Sequence, residues 1–166
     1  KTRFGNLRNV LDENNSQTEI LVLESPFIAN REYDVMVERF GDQVAFIDCT
    51  FPVGEGLDDL RVGLERIRAE AEDAVRSGAG QLVLTDEHQG PGAVGMPMIL
   101  ATSAVHSWLT RKGLRTFCSI NVRSAECIDP HYFAVLIGSG ATTVNPYLAQ
   151  DSIADRIDRG LLDGSL

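Results

Sequence analysis

The sequence predicts an α/β fold: parallel β–α units arranged as a partial (β/α) barrel or an open doubly wound sheet of about five strands. Three observations lead there. Short apolar runs at Glu19–Leu23, Val44–Cys49, Gln81–Thr85, Thr116–Val122 and Ala141–Asn145 alternate with helical patterns. The run QLVLT at Gln81–Thr85 is continuous in hydrophobicity, as a strand buried on both faces is. The intervals between runs are long enough for helical crossovers. At 166 residues the chain falls short of the ~250 typical of a complete barrel, and no low-complexity linker divides it.

Lys1–Thr18 is polar and rich in turn formers, and reads as an irregular lead-in to a single α/β domain over residues 19–166. Asn30 can open a helix that Gly41 ends. Leu57–Arg76 is the clearest helix: Leu57, Leu60, Leu64, Ile67, Ala71 and Ala74 recur at steps of three and four. Asp58 and Asp59 suit its positive end, Arg76 its negative end. Pro97 starts the next helix, which runs to about Lys112, with Gly113 past its end. Asp129 and Pro130 begin another, stopped at Gly138–Gly140. Asn145–Pro146 opens a brief turn of helix, and Ser152 with Asp155 three residues on resembles a capping box for the last helix.

The totals narrow the function. A net charge of -9 argues against a surface that tracks nucleic-acid phosphates. Three cysteines, Cys49, Cys118 and Cys127, form no C-x-x-C pair and cannot supply an all-cysteine zinc or iron–sulfur site. Their odd number fits a reducing, cytoplasmic compartment. No apolar run approaches the ~18 residues of a membrane span. The chain opens on Lys1 without an initiator Met and reads as a piece of something longer.

In either architecture the working edge is the C-terminal end of the strands. Polar groups gather there: Glu24, Asp48, Cys49, Asp86, Glu87, His88, Asn121, Arg123, Glu126 and Asn145. The most conspicuous motif is a G-x-G-x-x-G at Gly90, Gly92 and Gly95. It is a poor dinucleotide loop. Four residues separate it from the strand, Pro91 removes an amide, Pro97 starts the helix after the glycines, and two carboxylates beside it repel phosphate. His106 and His131 are too scattered to give a metal motif with Asp86, Glu87 and His88. His106 reads as a buried, hydrogen-bonded histidine. There is no G-x-S-x-G elbow and no cysteine with an activating neighbour. On these residues the open alternative is an independent barrel-like enzyme with a metal- or anion-binding strand-end site using Asp86, His88 and Glu126.

The segments AGQLVLTD, MPMILATSAVHSWLTRKGLRT and HYFAVLIGSGATTVNPYLA, in that order, resemble the central domain of the glutamate synthase large subunit. Ser25–Ile28 and Phe51–Glu55 are similar to that family as well, so the likeness spans nearly the whole chain and is strongest after Ala79. The family pattern carries S-D-R where this chain has Thr85, Asp86 and Glu87. It carries E-S-G-E where Arg123, Ser124, Ala125 and Glu126 stand.

The resemblance implies a structural and channelling role. Glutamate synthases make two glutamates from glutamine and 2-oxoglutarate. A glutaminase domain releases ammonia, and a barrel domain binding FMN and an iron–sulfur cluster reduces the iminoglutarate. The central domain connects the two and helps wall the ammonia tunnel. This chain resembles its C-terminal portion, with no catalytic residue and no cofactor of its own. Its partners are the glutaminase and FMN-binding domains of the parent chain, with homo-oligomer formation through exposed apolar surface as a further expectation. The candidate interface or tunnel-edge residues are Asp86, Glu87, His88, Arg123, Glu126, His131 and Asn145.

Overall fold

The structure, a computed structural model, describes residues 2–4, 21–52, 54 and 58–162. Its centre is a four-stranded parallel sheet of β3 (Val44–Asp48), β5 (Gln81–Thr85), β7 (Ser119–Arg123) and β8 (Thr143–Asn145), in that order. Two smaller antiparallel pairs flank it. β1 (Thr2–Phe4) pairs with β2 (Leu21–Leu23), and β4 (Thr50–Pro52) with β6 (Ala93–Gly95). The helices are α1 (Asn30–Phe40), α2 (Asp58–Arg76), α3 (Met98–Arg111), α4 (Pro130–Gly138) and α5 (Tyr147–Asp158).

The strand order follows the chain in one direction. Right-handed crossovers that all advance one way place their helices on one face. Leu82, Leu84, Ile120, Val122 and Val144 point to that face and bury against Ile67 and Ala71 of α2, Val105 and Leu109 of α3 and Leu136 of α4. α1 lies on the other face, where Tyr33, Met36 and Phe40 pack with Val83. Val83 alternates with Leu82 and Leu84, so the two cores are separated by the sheet itself. Helices on both faces make this an open, doubly wound arrangement rather than a closed barrel.

The Glu19–Leu23 run does not enter this sheet. Its described part, Leu21–Leu23, pairs with Thr2–Phe4, which lies inside the stretch read from sequence as irregular lead-in. The sheet is extended instead by Phe27, which forms a parallel bridge to Val144. Ile28 N donates to Val144 O at 3.0 Å, and Val144 N to Pro26 O at 2.9 Å. A single proline-flanked rung carries no period, so the longer apolar run draws the assignment instead. Residues 5–20 lie outside the described part.

Two other elements shift. The fourth strand starts at Ser119 because Arg115–Phe117 is a turn of 3₁₀ helix. The C-terminal helix is continuous from Tyr147. Ser152 sits inside it and donates to Leu148 O at 2.6 Å, bonding back one turn rather than capping. No helix among the described residues is long and apolar enough to cross a membrane.

Candidate functional site at the strand ends

Register alone brings four polar residues into one line. Asp48 pairs with Thr85, Thr85 with Arg123, and Arg123 with Asn145. They form the last rung of the sheet at its C-terminal edge, all on the α1 side.

Arg123 is the hub. Its Nε forms an ion pair with a Glu87 carboxylate oxygen at 2.7 Å. Its Nη1 donates to Asn145 Oδ1 at 2.6 Å. The guanidinium lies between the Tyr33 ring of α1 at 4.4 Å and the Tyr147 ring of α5 at 4.9 Å, a cation–π sandwich. Asn145 passes the linkage on, with Nδ2 donating to Ile28 O and to Asn30 Oδ1, each at 2.9 Å. The Thr85 hydroxyl donates to Glu87 at 3.0 Å. Burial pushes the Glu87 carboxyl up, but Arg123 and the Thr85 hydroxyl outweigh it and hold it below its ordinary value. Burial likewise favours neutral Arg123, and Glu87 more than offsets that.

Asp86 is 1% exposed. It accepts from the Ala125 amide at 3.0 Å and the Ser124 hydroxyl at 3.1 Å, which ties the loop after β5 to the loop after β7. Burial raises its carboxyl above the ordinary range, against the Ala125, Ser124 and Tyr147 hydrogen bonds. Burial and the Asp86 charge together push the Tyr147 phenol up.

Glu126 points elsewhere. Its Oε2 accepts from the first amide of α3, Met98 N, at 2.8 Å, and from the Tyr132 hydroxyl. A carboxylate at a positive helix end is a cap. His88 is exposed, with Nδ1 3.8 Å from Asp48 Oδ1. His131 is exposed in the first turn of α4. The structure therefore joins Asp86, Glu87, Arg123 and Asn145, and leaves His88, Glu126 and His131 around them. No group of three His, Cys, Asp or Glu among the described residues is placed to hold a metal ion.

Two helix-start amides at this edge are already engaged by the protein's own carboxylates. The leading α3 amide is taken by Glu126, and the Tyr132 amide in the first turn of α4 by Asp129 at 2.9 Å. The glycine motif forms a tight turn, in which Gly90 and Ala93 exchange backbone hydrogen bonds, and then strand β6.

Asn121, expected at the edge, is instead buried in mid-strand. It donates to Gln81 Oε1 at 3.0 Å and accepts from the Thr143 hydroxyl at 2.6 Å. Cys49 is fully buried just past β3. Tyr33 and Tyr147, the two rings around Arg123, were not among the expected residues. Tyr33 sits on the apolar face of a helix, and nothing in sequence marks it as a neighbour of a strand end.

At the opposite end of the sheet three sequence segments meet. His106 Nδ1 accepts from Arg115 Nε at 3.0 Å. Arg115 also donates to Cys118 O and Gly140 O, each at 2.8 Å. Burial, then the Arg115 charge, holds His106 below its ordinary value. The Ala104–His106, Gly113–Thr116 and Gly138–Ala141 segments thus form one structural joint; His106 is hydrogen-bonded as expected, but half-buried rather than buried.

The sequence model of the glutamate synthase central domain matches residues 1–165. The chain is 58% identical over 161 residues to the glutamate synthase [NADPH] large chain of Azospirillum brasilense, covering 97% of this chain and 11% of that protein. It is 44% identical over 106 residues to the corresponding Bacillus subtilis chain, covering 64% of this chain and 7% of that one. It is 36% identical over 151 residues to the chloroplastic ferredoxin-dependent glutamate synthase of Spinacia oleracea, covering 89% of this chain and 9% of that one. The chain spans about a tenth of the length of the relatives it matches. It belongs to the glutamate synthase central domain family.

Proposed function

We propose that this chain is the structural and channelling central domain of a cytoplasmic glutamate synthase, which forms glutamate from glutamine and 2-oxoglutarate. It connects the glutaminase and FMN-binding domains of its parent and helps wall the ammonia path. FMN and an iron–sulfur cluster belong to other parts of that parent, and this chain by itself catalyses nothing. The observation that carries the reading is the use made of the strand-end groups. Asp86 ties two loops together, Glu126 caps α3, and Arg123 is clamped between two tyrosines. Such an edge is a stiff wall, and a small neutral molecule needs a closed route that excludes water more than it needs strong ligands. Asp86, Glu87, Arg123, Glu126 and Asn145 hold that wall, while exposed His88 and His131 are the members a neighbouring domain touches.

Three measurements test it. The isolated chain is expected to retain no flavin absorbance through purification and to show no glutaminase activity. In the parent enzyme, Arg123→Ala is expected to raise free ammonia released per glutamate formed by several-fold. An unchanged ratio removes the wall role, and retained flavin removes the division of labour.

A further inference from the structure

Arg115 is a half-buried cation held by neutral acceptors alone. Its Nε donates to His106 Nδ1 at 3.0 Å and its Nη1 to Cys118 O at 2.8 Å. Its Nη2 donates to Gly140 O at 2.8 Å and to Thr142 Oγ1 at 3.4 Å. Among the described residues no carboxylate pairs with Arg115 or with His106. The guanidinium thus ties α3 to the 3₁₀ turn Arg115–Phe117 and to the link between α4 and β8.

That arrangement requires a neutral His106. Nδ1 gives its lone pair to Arg115, so the ring proton sits on Nε2. The ring is hemmed in as well, since a Cβ on Gly140 would lie 2.4 Å from it. A proton added at Nδ1 removes the acceptor and sets two cations face to face.

No neighbouring charge relieves them. Gly140–Thr142 is uncharged, and Cys118 offers a carbonyl and a thiol that burial pushes up to about 11. On α2, Glu72 is engaged by Trp108 Nε1 and Arg76, each at 2.8 Å, and by Lys112 at 3.4 Å. Glu126 and Tyr132 of α4 meet α3 at Met98, its opposite end. Arg123 stands at the far end of β7, paired with Glu87. Arg111, in the last turn of α3, is an exposed cation and adds to the repulsion.

We propose that the His106–Arg115 contact is an acid-sensitive latch: a proton from solvent on His106 Nδ1 frees the Gly113–Thr116 and Gly138–Ala141 turns from α3 while the parallel sheet stays formed. Burial and the Arg115 charge hold native His106 below the ordinary 6.5. The latch is therefore closed above 6.5 and opens as pH falls through the native value. Asp86 acts in the opposite sense, being raised above its ordinary value.

The test is amide exchange on the 166-residue chain at about pH 7.5 and about pH 5, corrected for intrinsic rates. Residues 113–117 and 138–142 are expected to lose at least about tenfold in protection at the lower pH, with β5 unchanged. His106→Asn, which keeps an acceptor near the Nδ1 position and does not titrate there, is expected to show no such loss. Equal wild-type protection at both pH values overturns the latch, and so does an equal loss in His106→Asn. Should that variant fail to fold, the wild type decides by NMR titration of its three histidines, assigned with His88→Gln and His131→Gln. His106 is expected to titrate lowest, with its midpoint matching the loss of protection. Three alike, or two different midpoints, overturn the proposal.

Discussion

Arg123 and Glu87 stand 2.7 Å apart across the ends of β7 and β5, and they occupy the two positions where the charge departs from the family pattern the sequence resembles. That pattern has an arginine at the position of Glu87 and an acid at the position of Arg123. Either change alone sets two like charges face to face. Together they leave one acid and one base at these two positions, which pair in this chain.

Reversing the pair tests this directly. Arg123→Glu alone is expected to cost about 3 kcal/mol, because it faces Glu87 with a second, partly buried acid. Glu87→Arg alone costs less, about 1–2 kcal/mol, since Glu87 is the more exposed partner. Urea unfolding of the double variant should recover about 2 kcal/mol of the summed loss. A double variant as unstable as the sum of the singles would show that the pairing is energetically idle.

Asp86 gives a pH signature with a defined sign. Its folded-state carboxyl titrates above its unfolded value of 3.8 because of burial. The native state then holds the proton more tightly than the unfolded state. The contribution is fully present below the unfolded value and is lost as pH rises through the native one. In that window wild-type stability should fall with pH more steeply than that of Asp86→Asn. Equal slopes in parallel denaturation series would contradict the assignment.

Gly140 is required twice over. Its φ is +114°, and a Cβ there would lie 2.4 Å from the His106 ring. Gly140→Ala is expected to destabilise by about 2–4 kcal/mol. Adding His106→Ala should return only part of that, because it removes the ring contact and leaves both the residue-106 Cβ, 2.7 Å from the added Cβ, and the backbone strain. Thermal melts of the single and double variants measure the ring's share.

The thiols should be silent in the folded protein. Cys49, Cys118 and Cys127 are all buried and free. Burial pushes them up to about 12, about 11 and about 11. A thiol reagent at pH 8 is expected to find no fast-reacting group in the native chain and three in denaturant. A native fast phase of one equivalent would mean that one of these sites opens.

The parts of the fold legible in sequence were those with a long period. The α2 stripe repeats enough to declare both type and facing, and the continuous QLVLT run declares a strand buried on both faces. Elements fixed by a partner far along the chain were not. Phe27 joins the sheet through one bridge, and Thr2–Phe4 is a strand only because Leu21–Leu23 lies beside it. The site follows the same rule. Asp86, Glu87, Arg123 and Asn145 could be grouped because strand ends share an edge. Tyr33 could not, because α1 crosses the opposite face before it meets them. Glu126 shows the limit of composition: a strand-end carboxylate looks alike in sequence whether it faces a ligand or caps a helix, and here the Met98 amide decides.

The rung between Phe27 and Val144 also sets an order of events. Ile28 receives its hydrogen bond from Asn145, 117 residues away, so the opening of α1 cannot be fastened until the last strand exists. During synthesis β3, β5 and β7 can zip together as each emerges. The apolar face of α1, with Tyr33, Met36 and Phe40, finds Val83 once β5 is in place, but the opening of the helix stays unfastened until β8 arrives. Long-range closure of this kind is slow because the loop entropy is lost before the contacts form. Until β8 arrives, the edge of β7 that it will cover and the start of α1 that it will fasten both stand open.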